Sequence, residues 1–138
     1  MRKKQILLTL SLATFITLSF YACKKDSVNS ETPCSESASK TNIRIKNNSK
    51  YNFSAVVLNP SSGLINCGDI KKGEKNCYHS FDLAYSNAYI KFYVEDKEFV
   101  YQPIDYVGEV PLGIGKFTYV LDISDFNART ISLTLHRD

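Results

Sequence analysis

The sequence predicts an all-β fold, a small antiparallel β-sandwich of seven to eight strands, and three observations carry that expectation. From Thr41 onward short segments alternate apolar and polar residues at period two. Turn residues interrupt them roughly every 12 positions. The segments themselves are rich in aromatic and β-branched residues, which suit a pleated, half-buried surface. A small closed barrel is the alternative, since the same alternation would serve it.

The elements follow in order. Asn42 to Lys46 places Ile43 and Ile45 on one side, and Asn47-Asn48-Ser49 breaks the strand. Tyr51 to Leu58 puts Tyr51, Phe53, Ala55 and Val57 on one face and Val56 and Leu58 on the other, before the turn Asn59-Pro60-Ser61-Ser62-Gly63. Leu64 to Cys67 and Cys77 to Phe81 read as two short strands of a hairpin. Asp82 to Asn87 is the one candidate for a helical turn, too short to hold a helix alone. Tyr89 to Val94 alternates again, with Glu95-Asp96-Lys97-Glu98 as a charged tip before Phe99, Val100 and Tyr101. Between Gln102 and Gly115 the density of Pro and Gly excludes a central strand. Lys116 to Ile123 carries Phe117, Tyr119, Leu121 and Ile123 on one face, and Thr130 to His136 turns Ile131, Leu133 and Leu135 inward. An immunoglobulin-like or transthyretin-like sandwich fits this series.

Ahead of this domain, Met1 is followed by Arg2, Lys3 and Lys4, an apolar run from Ile6 to Tyr21, and Ala22-Cys23. A basic end, an apolar centre and a small residue at the cut are the order of a secretory signal. The run falls short of the roughly 20 apolar residues a spanning helix needs. The junction Ser19-Phe20-Tyr21-Ala22-Cys23 resembles the lipobox of bacterial lipoproteins, and Cys23-Lys24-Lys25-Asp26-Ser27 is similar to the mature start of lipoproteins of the Bacteroidota type. That resemblance implies a signal peptide over residues 1–22, acylation of Cys23, and an outer-membrane address in the cell envelope, with the membrane as a partner through the lipid. Acyl chains contribute about 0.8 kcal/mol per buried CH₂, so two or three of them hold a protein to a bilayer.

Residues 23–40 complete the expected organisation as a lipidated cysteine and flexible tether, and residues 41–138 form one domain. The tether is dominated by Ser, Lys and Glu with a single Val, too little apolar surface to offset its ordering entropy. The net charge of +3 belongs to the leader and tether, because from Thr41 on 11 basic side chains face 11 acidic ones. No basic stripe exists to neutralise phosphates, and nucleic acid is excluded as a partner class.

Cys67 and Cys77 bound the 11-residue segment CGDIKKGEKNC, centred on the turn Lys72-Gly73-Glu74. If the flanking runs pair, the sulfurs face each other and an oxidising compartment would close a Cys67–Cys77 disulfide. The other reading leaves two buried thiols. Cys34 is left over in the tether, free or paired with another molecule.

No catalytic constellation stands out, and a non-enzyme is expected, without metal or cofactor. His79 and His136 lack metal-ligand spacing, no Gly-x-Ser-x-Gly elbow occurs, and Gly113-Ile114-Gly115 is followed by a strand rather than a helix. The most distinctive stretch is the loop from Gln102 to Gly113, where Asp105 and Glu109 flank Tyr106. It reads either as a recognition loop or weak calcium site, or as a crossover whose Ile104, Val107 and Leu112 plug the end of the core. Tyr85, Tyr89, Tyr93, Tyr101 and Tyr106 are candidates for an aromatic glycan platform. The expected function is a non-enzymatic binding or assembly module contacting an envelope protein, a host protein or a glycan. A small hydrolase or a protease inhibitor is the alternative.

Overall fold

The computed structural model describes residues 31–104 and 107–138. It is all-β, with two four-stranded sheets packed face to face and not closed into a barrel. The strands are β1 (Thr41–Asn47), β2 (Phe53–Ser61), β3 (Ile65–Ile70), β4 (His79–Phe81), β5 (Ala84–Val94), β6 (Lys97–Tyr101), β7 (Gly115–Asp125) and β8 (Thr130–Arg137). One sheet has the order β4-β1-β7-β8 and the other β3-β2-β5-β6. All pairings are antiparallel except that of β1 with β7, which run side by side in the same direction from Thr41↔Gly115 to Asn47↔Leu121.

Alternation puts one face of each strand between the sheets. Ile43 and Ile45 of β1 meet Val56 and Leu58 of β2, Ile90 and Phe92 of β5, Phe99 of β6, and Tyr119 and Leu121 of β7, every one of them fully buried. Burying an aliphatic side chain of this kind contributes about 1.5–3 kcal/mol. Towards the end where β6 and β8 begin, aromatic rings carry the packing. Phe53 stacks on Phe92 at 4.0 Å, Phe92 on Phe99 at 5.5 Å, and Phe126 of the β7–β8 turn on Tyr51 at 4.7 Å. At the same end the Asn47 side chain is wholly buried. Its Nδ2 donates to the carbonyls of Tyr51 and Ile70, and its Oδ1 accepts from the amide and hydroxyl of Ser49. Ile70 lies in the opposite sheet, so this one amide joins both layers with its bonding capacity filled.

The expected faces hold in β7 and β8, whereas β2 differs. Phe53 points in, but so do Val56 and Leu58, because the pairing with β3 shifts between Phe53 and Val56. Ala55 sits in the shift at φ 49° and its amide donates to Asp69 Oδ1 at 2.9 Å. An inserted residue moves all later side chains to the other face. The helical turn expected at Asp82 to Asn87 is also replaced: β5 already begins at Ala84, held by its pairing with Ser61.

Cys67 and Cys77 do not form the expected disulfide. The bond joins Cys34 to Cys77, with Cα atoms 5.7 Å apart, and Cys67 is a buried free thiol. The reason is topological: β3 and β4 belong to different sheets and make no hairpin. The chain between them follows β1 instead, where Asn47 N–H donates to the Glu74 carbonyl, Asn76 N–H to that of Ile45, and Ile45 N–H to Asn76 Oδ1. Part of the segment expected to be a flexible tether is bonded to the sheets instead. Thr32 exchanges bonds with Asn66 of β3, Ser35 donates to the Tyr78 carbonyl and accepts from Ser80 N–H beside β4, and Glu36 pairs with Lys116 at 2.6 Å. The segment from Thr32 to Glu36 is thus a strap across the outer edges of β3 and β4.

Closing a loop with a sequence separation of 43 stabilises by about 4 kcal/mol in the chain-entropy model, and by about 2–4 kcal/mol in typical measurements. The Cys34→Ser/Cys77→Ser variant is therefore expected to lose about 2–4 kcal/mol, a fall in Tm of roughly 10–30 °C, while Cys67→Ala loses far less. Non-reducing peptide mapping and thermal melts check both statements.

Candidate functional site

The loop from 102 to 114 leaves β6 in one sheet and enters β7 in the other, crossing the end of the sandwich where β7 begins. It is fastened along its second half. Leu112 N–H donates to the Ala84 carbonyl, Thr41 Oγ1 to that of Gly113, and Gly115 N–H to that of Lys40. Gly113 lies at φ 73°, in the left-handed region where glycine carries no Cβ penalty. Leu112 packs against the core, as the plug reading expects.

Ile104 and Val107 do not. Ile104 is fully exposed, Val107 is 88 % exposed and Val110 80 % exposed, with Ile114 and, on neighbouring turns, Leu64 and Leu83 also outward. The turns belong to the same end of the molecule, since Ser61 and Ser62 both donate their hydroxyls to the Leu83 carbonyl. A shallow concavity lies there between Lys40, Thr41, Leu83, Ala84, Pro111 and Ile114. Single exposed apolar residues need no explanation, but here several share one end of a small domain.

Glu109 sets where this surface sits. Its carboxylate accepts from Asn87 Nδ2 at 2.9 Å and from Ser86 Oγ at 3.2 Å, and Asn87 Oδ1 accepts from Tyr101 hydroxyl at 3.0 Å. The residue expected to bind a ligand thus ties the loop to β5. The other two members of that expected group, Asp105 and Tyr106, lie outside the described residues, as does Cys23. Among the described residues no three His, Cys, Asp or Glu side chains converge on one point.

The tyrosines divide. Tyr85, Tyr89 and Tyr93 alternate along β5 on its outer face with Asn87 and Lys91 between them, all half-buried. Four residues of strand separate successive rings by about 13 Å. Tyr101 packs instead against the core.

Two buried groups lie near the strap. Burial pushes the Cys67 thiol up to about 12, with a smaller opposing effect of the Asn76 side chain, so it stands as the protonated thiol at neutral pH. The His79 ring, 2 % exposed, is held below its ordinary value, first by burial and against a weaker opposing bond with the Pro33 backbone. The sequence alone paired Cys67 with Cys77, set His79 aside for want of metal-ligand spacing, and missed the outward Leu64, Leu83, Val110 and Ile114. The only signal for these last was apolar residues without alternation beside Gly and Pro.

No family model matches the chain, and no curated protein matches it. A solved NMR structure, described as that of a protein from Eubacterium rectale, is similar over 76 % of this chain and 94 % of its own length, at 12 % identity and a TM-score of 0.48.

Two outcomes are expected. Glu109→Ala should release the loop and speed its cleavage in limited proteolysis several-fold, with a loss of global stability of no more than about 1 kcal/mol, because the bonds lie at a partly exposed edge. His79 folds as the neutral ring with a lowered pKa, so the unfolded chain binds the proton more readily and stability falls as pH drops below about 6.5. Denaturant melts over that range should show a shallower slope for His79→Gln.

Proposed function

We propose that this chain is a non-enzymatic binding or assembly module of the cell envelope, anchored through Cys23 to the outer membrane, whose apolar loop end contacts another protein. The observation that carries the reading is the outward set Ile104, Val107, Val110 and Ile114 on a loop tied down by Glu109. Apolar side chains held out in water gain from leaving it on docking. A disulfide between Cys34 and Cys77 supports export, since such bonds persist in oxidising compartments. The lipobox-like junction at Ala22-Cys23 supports the anchor. A glycan is the second reading, supported by Tyr85, Tyr89 and Tyr93 on one sheet face.

The test compares the wild-type chain with Ile104→Ser/Val107→Ser/Val110→Ser, both recovered from membranes. Mass spectrometry should find acyl groups on Cys23 in both. A stoichiometric protein should co-purify with the wild type and fall at least tenfold with the variant, whose Tm stays within a few degrees because these side chains are exposed. A soluble, unmodified Cys23 would end the anchor reading, and equal recovery of the partner would end the loop reading.

A further inference from the structure

The four sheet edges are not treated alike. The strap covers β3 through Thr32 and β4 through Ser35. The β6 edge is five residues long, carries Lys97 and Glu98 and ends two residues before Pro103. Short length, charge and proline are the devices that blunt an edge. β8 has none of them. It runs eight residues, TISLTLHR, with no Lys, Asp, Glu, Pro or Gly before its closing arginine.

The register shows which of its groups are unused. Asp138 N–H donates to the Lys116 carbonyl, so the pairs that continue this register at Thr118↔His136, Val120↔Thr134 and Asp122↔Ser132 are the hydrogen-bonded ones. The N–H and C=O of Ile131, Leu133 and Leu135 therefore point away from β7. Among the described residues no hydrogen bond reaches them.

The strand is also complementary to itself. Laid antiparallel on a second β8 about a two-fold axis through Leu133, it places Leu133 opposite Leu133 and Ile131 opposite Leu135, all carrying outward backbone groups. Each such pair exchanges two bonds. Ser132 then faces Thr134 on the outer surface, and the apolar side chains continue the inner face of the sheet without a charge between positions 130 and 136.

We propose that β8 pairs antiparallel with β8 of a second copy of this chain, giving a two-fold dimer with one continuous eight-stranded sheet. An isologous contact of this kind closes on itself and leaves no further β8 edge for fibre growth. It uses a different face from the loop end, so both surfaces stay open at once.

Light scattering of the full-length chain against concentration tests the proposal. The wild type should rise from the mass of one chain to that of two. Leu133→Pro removes an outward N–H that β7 does not use, and is expected to weaken dimerisation at least tenfold. If that variant fails to fold, Ser132→Lys/Thr134→Lys serves in its place: both positions are exposed, and the register sets like charges opposite each other. Register is read by oxidising an equimolar mixture of Ser132→Cys and Thr134→Cys chains, which should cross-link far better than either alone. A wild type that stays monomeric at all concentrations, a dimer indifferent to the substitutions, or cross-linking no better in the mixture would each overturn the proposal.

Discussion

The pairing of β1 with β7 is the constraint on which the architecture rests. β1 is flanked by β4 on one side and β7 on the other, so nothing in its sheet is complete until Thr41–Asn47 is seated. Its partner lies 74 positions further on in the chain, and the pairing is parallel, which no hairpin can deliver. The entropy of closing so long a loop must be offset before the contact yields anything. What offsets it is visible at both ends of the strand. Ile43 and Ile45 have no exposed surface, Asn42 Nδ2 donates to the Ser37, Lys40 and Gly115 carbonyls, and Asn47 bonds across to the other layer.

These buried asparagines also explain why the core accepts so much polarity. A buried amide without partners would cost several kcal/mol, whereas one with its donors and acceptors engaged fixes geometry at little net cost. Asn42 and Asn47 each satisfy backbone carbonyls outside the strands, those of Ser37 and Lys40 and that of Tyr51. They do for the irregular parts of this sandwich what ladder bonds do for the rest, and they set the point at which β1 begins and ends.

The parts of the fold legible from residue type were those decided by alternation alone. β7 and β8 could be read off Phe117 to Ile123 and Ile131 to Leu135 because one buried face imposes period two. The inner set of β2 was not legible: its bulge depends on Ala55 at positive φ, where neither glycine nor asparagine marks the place. The start of β5, Ala84 to Ala88, is small or polar apart from Tyr85, and it is held as a strand by its pairing with Ser61. Spacing suggested Cys67 with Cys77, but connectivity follows from which sheets the flanking strands join. At the loop end, Glu109 stood out as a charge in an apolar stretch, yet composition could not say that its oxygens face Ser86 and Asn87 rather than a ligand. Nor could it separate the inward Leu112 from the outward Ile104, since that depends on the path of the backbone.

The cystine also decides how the molecule bears load. A pull on the amino-terminal end reaches Cys34 and passes through sulfur to Cys77, bypassing the polypeptide between them. β1, β2 and β3 lie inside that bypassed stretch. Traction that would otherwise peel β1 from its neighbours, strand end first, is delivered to the base of β4. The mechanical weak point of the domain is thereby moved off its most deeply embedded strand.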